Sequence, residues 1–101
     1  MEQADIKRFA LGFRQGLLGG RSSCDMCFAI CAPLQTLLSL EGVETKLVEG
    51  KFGHYWLELP DGQILDPTAD QFIRPGGSKM PPVYLGELPK WYNEPGGLNY
   101  A

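Results

Sequence analysis

No stretch of about 18 consecutive apolar residues occurs in the 101-residue chain, so nothing in it reads as a membrane-spanning helix. Nor is there a basic stripe: Lys and Arg number 9 against 12 Asp and Glu, and the net charge of −3 gives no reason to expect nucleic acid or an anionic membrane as a partner. Near the N-terminus Lys7, Arg8 and Arg14 interrupt the apolar residues, leaving no secretory h-region, and a cytoplasmic address is the expectation. Cysteine is scarce and odd in number, three residues at positions 24, 27 and 31, which argues against a secreted disulfide framework. Histidine is scarcer still. His54 stands alone, so any imidazole chemistry must use it. Internal repeats and low-complexity segments are missing as well.

What is there suits one modest hydrophobic core, and residues 1–101 are read as a single domain. Ile6, Phe9, Ala10, Phe13 and Leu17 recur at helical spacing, predicting an amphipathic helix over residues 5 to 18 with Asp5 as N-cap and Gly19-Gly20 as the stop. A loop with Ser22, Ser23 or Asp25 available for capping feeds a second helix that begins near Cys27, runs to about Leu40 and stops at Gly42. Its apolar stripe is Cys27, Ile30, Cys31, Leu34, Leu37 and Leu38, and Pro33 within it should produce a kink by deleting a backbone donor. Val43 to Glu49 reads as a strand, followed by a connection from Gly50 to Gly53 and a hairpin. Helices followed by strands predict an α+β fold, with N-terminal helices packed on a small antiparallel β-sheet. From Arg74 on, Pro and Gly dominate, but Val83, Tyr84, Leu85, Leu88, Trp91 and Tyr92 are too apolar for a linker. Residues 74–101 are read as an extended tail wrapping over the body, with Tyr84, Trp91 and Tyr92 as core cover.

The hairpin, residues 53 to 68, organises the chain. Pro60-Asp61-Gly62 predicts a three-residue loop, with Gly62 supplying the left-handed residue. Leu59 then faces Gln63, Leu57 faces Leu65, Trp56 faces Asp66 and His54 faces Thr68. One face of the ribbon carries Tyr55, Leu57, Leu59 and Leu65; the other carries His54, Trp56, Asp66 and Thr68. His54 and Asp66 are diagonal neighbours at about 7–8 Å between backbones, within side-chain hydrogen-bonding reach.

Cys27, His54 and Asp66 together suggest a catalytic triad. A helix N-terminus favours a thiolate, an imidazole beside it serves as base and acid, and a carboxylate fixes the tautomer. The Cys27 amide is then placed to help hold an oxyanion, and Trp56 packs against the imidazole or walls the substrate cleft. Asp70 is the fallback orienter. Cys31 is assigned to the core, and Cys24 is a loop thiol, a resolving partner or inert. Two further readings use the same atoms: a Cys24, Cys27, Cys31 and His54 zinc site, and a Cys24-x-x-Cys27 redox motif, which lacks a preceding strand.

Three motifs in order, Cys27-Phe28-Ala29 opening a helix that ends before Gly42-Val43-Glu44, then His54-Tyr55-Trp56, then Asp66-Pro67-Thr68, resemble the transglutaminase-like superfamily of papain-like cysteine enzymes. The resemblance covers about residues 22 to 70. In that family the cysteine lies about fifteen residues before the glycine, a spacing that selects Cys27 over Cys24. The chain looks most similar to small bacterial members, including the leader-processing peptidases of lasso-peptide pathways; it is shorter than a typical transglutaminase core and has Val43-Glu44 where the family has Ile-Pro. The resemblance implies a papain-like core and acyl transfer from an amide or peptide substrate through a thioester, resolved by water or an amine, with no cofactor. A catalytically silent binding module with the same fold is the alternative.

Overall fold

Helical spacing of apolar residues builds two helices in the computed structural model, which describes residues 1–101: α1 at Gln3–Leu18 and α2 at Cys27–Leu40. α1 starts two residues before the expected Asp5. Glu2 is the N-cap, and Asp5, now the third helical residue, accepts a hydrogen bond from the Glu2 amide at 3.4 Å. α1 buries Ile6, Ala10, Arg14 and Leu18, with Phe9 and Phe13 partly covered. α2 buries Ile30, Cys31, Leu34 and Leu38. It runs unbroken through Pro33. Pro33 and Ala29 both lie on the exposed face, so the carbonyl deprived of its donor is on the solvent side. The helix ends in a Schellman closure: Gly42 takes φ 82°, its N–H donates to the Ser39 carbonyl at 3.0 Å, and the Val43 N–H donates to the Leu38 carbonyl at 2.8 Å. Val43 is thereby drawn into the helix terminus, and the strand expected from Val43 begins only at Lys46.

The sheet follows. β1 (Lys46–Glu49) pairs antiparallel with β2 (Tyr55–Glu58), which pairs antiparallel with β3 (Ile64–Asp66). A 3-10 turn at Ala69–Gln71 leads to β4 (Phe72–Ile73), and the chain then returns as β5 (Tyr84–Gly86) beside β3. The four-stranded order is β1-β2-β3-β5, and the molecule is α+β. The Pro60–Gly62 loop is the predicted one: the Leu59 N–H donates to the Gln63 carbonyl at 2.8 Å and Gly62 adopts φ 89°. Register aligns Leu47, Leu57, Leu65 and Leu85 across all four strands. This row packs against Ile6, Ala10, Cys31, Leu34 and Leu38 of the helices. The opposite face, with Val48, Trp56 and Ile64, is covered by Met80, Trp91 and Tyr92.

The C-terminal segment does more than wrap. It contributes β5 to the sheet, a 3-10 turn at Lys90–Asn93 that buries Tyr92 completely, and β6 (Asn99–Tyr100), paired with β4. Gly97 fixes the exit from that turn, because a Cβ there would stand 1.9 Å from the Trp91 carbonyl oxygen and 2.8 Å from its carbon, backbone atoms that cannot move alone. Gly97→Ala is expected to cost about 2 kcal/mol in urea unfolding. Gly12→Ala, on α1 with nothing within 4 Å, should be neutral or stabilising by contrast. Equal stability of the two variants would contradict this account.

Candidate active site

The first side chain of the site comes from the start of α2. Met26 is the N-cap and supplies no side-chain cap. The expected capping residues are engaged elsewhere: the Ser22 hydroxyl accepts from the Cys24 amide at 3.1 Å, Ser23 donates to Asp70 Oδ1 at 2.6 Å, and Asp25 Oδ1 accepts from the Tyr100 hydroxyl at 2.9 Å. Asp25 turns the chain into the helix at φ 61°, a left-handed conformation Asp tolerates, with its N–H donating to Gln71 Oε1 at 3.1 Å. The first-turn amides are therefore left without side-chain caps, at the positive end of the helix dipole, beside Cys27.

His54 and Asp66 meet as the hairpin register requires. The pairing of Leu57 with Leu65 turns Trp56 and Asp66 to the face opposite the leucines, and His54 lies diagonal to Asp66. His54 Nε2 and Asp66 Oδ2 are 2.7 Å apart, and both residues are buried. The other ring nitrogen, Nδ1, is free of Asp66, and the imidazole interacts with the Cys27 side chain. Asp66 Oδ1 accepts the Thr68 N–H at 3.0 Å, an Asx turn across Pro67, and Thr68 Oγ1 accepts from Gln71 Nε2 at 3.0 Å. On Oδ2 a second donor converges, the Tyr92 hydroxyl at 2.6 Å.

The charges follow from these contacts. Burial pushes the Cys27 thiol up, but the interaction with His54 and the amides of Tyr55 and Phe28 outweigh it and hold the thiol below its ordinary range. Burial draws the His54 imidazole down, yet the hydrogen bond to Asp66, then the interaction with Cys27, raise it from 6.5 to about 9. The pair is therefore shifted toward thiolate and imidazolium. Cys31 behaves oppositely: burial first, then the charges of Asp66 and Cys27, keep it protonated far above the usual thiol range, and its Sγ faces the Tyr55 carbonyl at 3.8 Å.

Cys27 and His54 open onto a cleft of about 230 Å³ walled by Phe52, Phe72, Leu98 and Tyr100. Asp25 and Glu94 are the carboxylates on its lining.

Cys27, His54 and Asp66 are thus brought together. Trp56 is not where the cleft reading put it: it is 2% exposed and packs behind His54, ring centroids 5.9 Å apart, because the tail covers its face of the sheet. Asp70 is no orienter for His54; it binds Arg14 in a forked ion pair at 2.8 and 3.0 Å and accepts from Ser23. The four zinc-ligand candidates are not gathered: Cys24 is exposed, Cys31 lies in the core, and no group of three His, Cys, Asp or Glu side chains is placed to hold a metal ion. All three cysteines are free, including the Cys24 and Cys27 of the redox reading.

Two partners of Asp66 escaped the sequence reading. Thr68 was on the correct face, and the Asp-Pro-Thr spacing was a usable Asx-turn signal. Tyr92 had none, since it lies 26 residues from Asp66 in a segment without periodicity. Compared with family models, curated proteins and solved structures, the chain matches none.

Proposed function

We propose that the protein is a cysteine hydrolase or acyltransferase of transglutaminase-like, papain-like type, acting on an amide or peptide bond. The observation that carries this reading is the buried 2.7 Å bond between Asp66 and His54 Nε2, on an imidazole whose other side addresses a thiol at a helix N-terminus. Cys27 is the nucleophile. Its sulfur attacks the carbonyl carbon, and the oxyanion that forms lies at the uncapped amides of the α2 N-terminus. His54 Nδ1 gives its proton to the departing amine as the C–N bond breaks, leaving a thioester on Cys27. Water or an amine then gives its proton back to His54 and attacks the thioester, releasing the acyl group and restoring the thiolate. Asp66 orients the ring and stabilises its cationic form throughout. The cleft's aromatic walls suit an extended peptide.

An activated ester tests this without knowledge of the natural substrate. With p-nitrophenyl acetate, the wild type should release a burst of nitrophenol equal to the protein present, with the acetyl group found on Cys27 by mass spectrometry. Cys27→Ser should abolish the burst, and His54→Ala should slow both phases. Acetylation spread over Cys24 and Cys27 alike, at rates unaffected by His54→Ala, would favour a silent binding module instead.

A further inference from the structure

We propose that Tyr92 is a positioning residue of this site, its hydroxyl holding Asp66 in the orientation that His54 requires. The inference rests on the catalytic reading of Cys27, His54 and Asp66 and adds a fourth member from a distant segment. Its geometry is specific. Tyr92 Oη and His54 Nε2 converge on the same oxygen, Asp66 Oδ2, at 2.6 and 2.7 Å, while Thr68 holds the other oxygen. Tyr92 and Asp66 are each 0% exposed, so no water can take over the hydroxyl's place without repacking. The Tyr92 ring also meets the His54 ring edge to face, centroids 5.3 Å apart at 75°. Burial, then the charge of Asp66, keep the phenol protonated far above its usual range, so towards this carboxylate it can only donate.

Other titratable groups around the cluster are few. Cys27 and Cys31 face it from α2, Tyr84 from β5 and Arg74 from beyond β4. Of these, only Cys27 acts on His54. Removing the Tyr92 hydroxyl leaves Oδ2 with one donor in a site without solvent. The carboxylate is then held at Oδ2 by the imidazole alone, the ring loses a fixed partner, and without the positive end of the hydroxyl dipole the surroundings of the thiolate become more negative and disfavour it.

Tyr92→Phe keeps the ring and its packing, so it separates positioning from filling. Alkylation of Cys27 by iodoacetamide is followed against pH for wild type, His54→Ala, Tyr92→Phe and Tyr84→Phe. The expected result for Tyr92→Phe is an acid limb displaced upward by about one pH unit and a plateau about tenfold lower, with an unchanged circular dichroism spectrum. Tyr84→Phe, whose hydroxyl serves the Glu87 carbonyl, should follow the wild type. A Tyr92→Phe profile superimposed on the wild type overturns the positioning role while leaving the triad standing. A wild-type profile that His54→Ala does not alter overturns the triad itself. Should Tyr92→Phe fail to fold, 3-fluorotyrosine incorporation strengthens the donor without removing it: an acid limb moved downward supports the role, and an unmoved limb overturns it.

Discussion

Replacing His54 with alanine is expected to slow alkylation of Cys27 at about pH 6 by about tenfold or more, the effect of about one unit of thiol ionisation and the largest rate effect of any single substitution around the thiol. The size follows from ionisation. A thiol near its ordinary value of about 8.5 is only about 0.3% thiolate at that pH. In the intact protein the burial of Cys27 is more than offset by His54 and by the amides of Tyr55 and Phe28, so the thiolate dominates to lower pH. Without the imidazole, burial is the leading influence left and pushes the thiol up. Reactivity in the wild type should therefore rise through the lowered ionisation of Cys27 and hold above it, with a second inflection where His54 loses its proton at about 9. In His54→Ala it should rise only on the alkaline side. Rates that agree at about pH 6 and diverge nowhere would remove the basis for an ion pair.

The largest stability effect is expected at Arg14, far from the cleft in function but tied to the loop that feeds Cys27. Arg14 is 8% exposed in its side chain and forks onto Asp70, whose side chain is 18% exposed; it also donates to the Pro82 carbonyl at 2.8 Å. Arg14→Met strands a largely buried carboxylate with Ser23 as its remaining side-chain donor, and should cost about 2–3 kcal/mol, somewhat below a fully enclosed pair because Asp70 keeps some water. The pH dependence has a definite sign. Burial pushes the Asp70 carboxyl up, but Arg14 and Ser23 outweigh this and hold it below the ordinary carboxyl value. A carboxyl lowered in the folded state stabilises above its unfolded value, about 3.9, and that contribution fades as pH falls through the folded value. The gap between wild type and Arg14→Met in urea denaturation should thus be full at neutral pH and shrink below about pH 4. A gap that stays constant across that range would assign the loss to packing of the Arg14 stem instead.

How much was legible in the sequence depended on how far apart the cooperating residues lie. The hairpin register was readable because Pro60-Asp61-Gly62 admits few turns and a one-residue slip would expose Leu57 and Leu65. From that register the meeting of His54 with Asp66 followed directly. Helix ends were less legible: Glu2 rather than Asp5 opens α1, and the Schellman closure absorbs Val43, both local choices between near-equal caps. Of the two places read for Trp56, it takes the one against the imidazole and not the cleft wall, and the sequence left that choice open for a different reason. Whether a strand face lines a cleft or a core depends on what covers it, and here the cover is Met80, Trp91 and Tyr92, supplied from a segment with no periodic signal. The same long-range return hid β5 and the Tyr92 hydroxyl.

That return has a consequence for the order in which the molecule acquires its chemistry. The four side chains of the proposed site come from the start of α2, the residue before β2, β3 and the turn at Lys90–Asn93, and the last of them follows β5 in the chain and reaches Asp66 across 26 residues. Contacts of such long sequence separation form late, because the entropy of closing the intervening loop must be met before they contribute. A chain still being synthesised, or one stalled with its early hairpins formed, therefore holds Cys27 without the completed cluster around Asp66. On the proposed reading, the reactivity of Cys27 during refolding should rise with the docking of Tyr92, and a thiol that alkylates at its final rate before the C-terminal segment has docked would contradict this order.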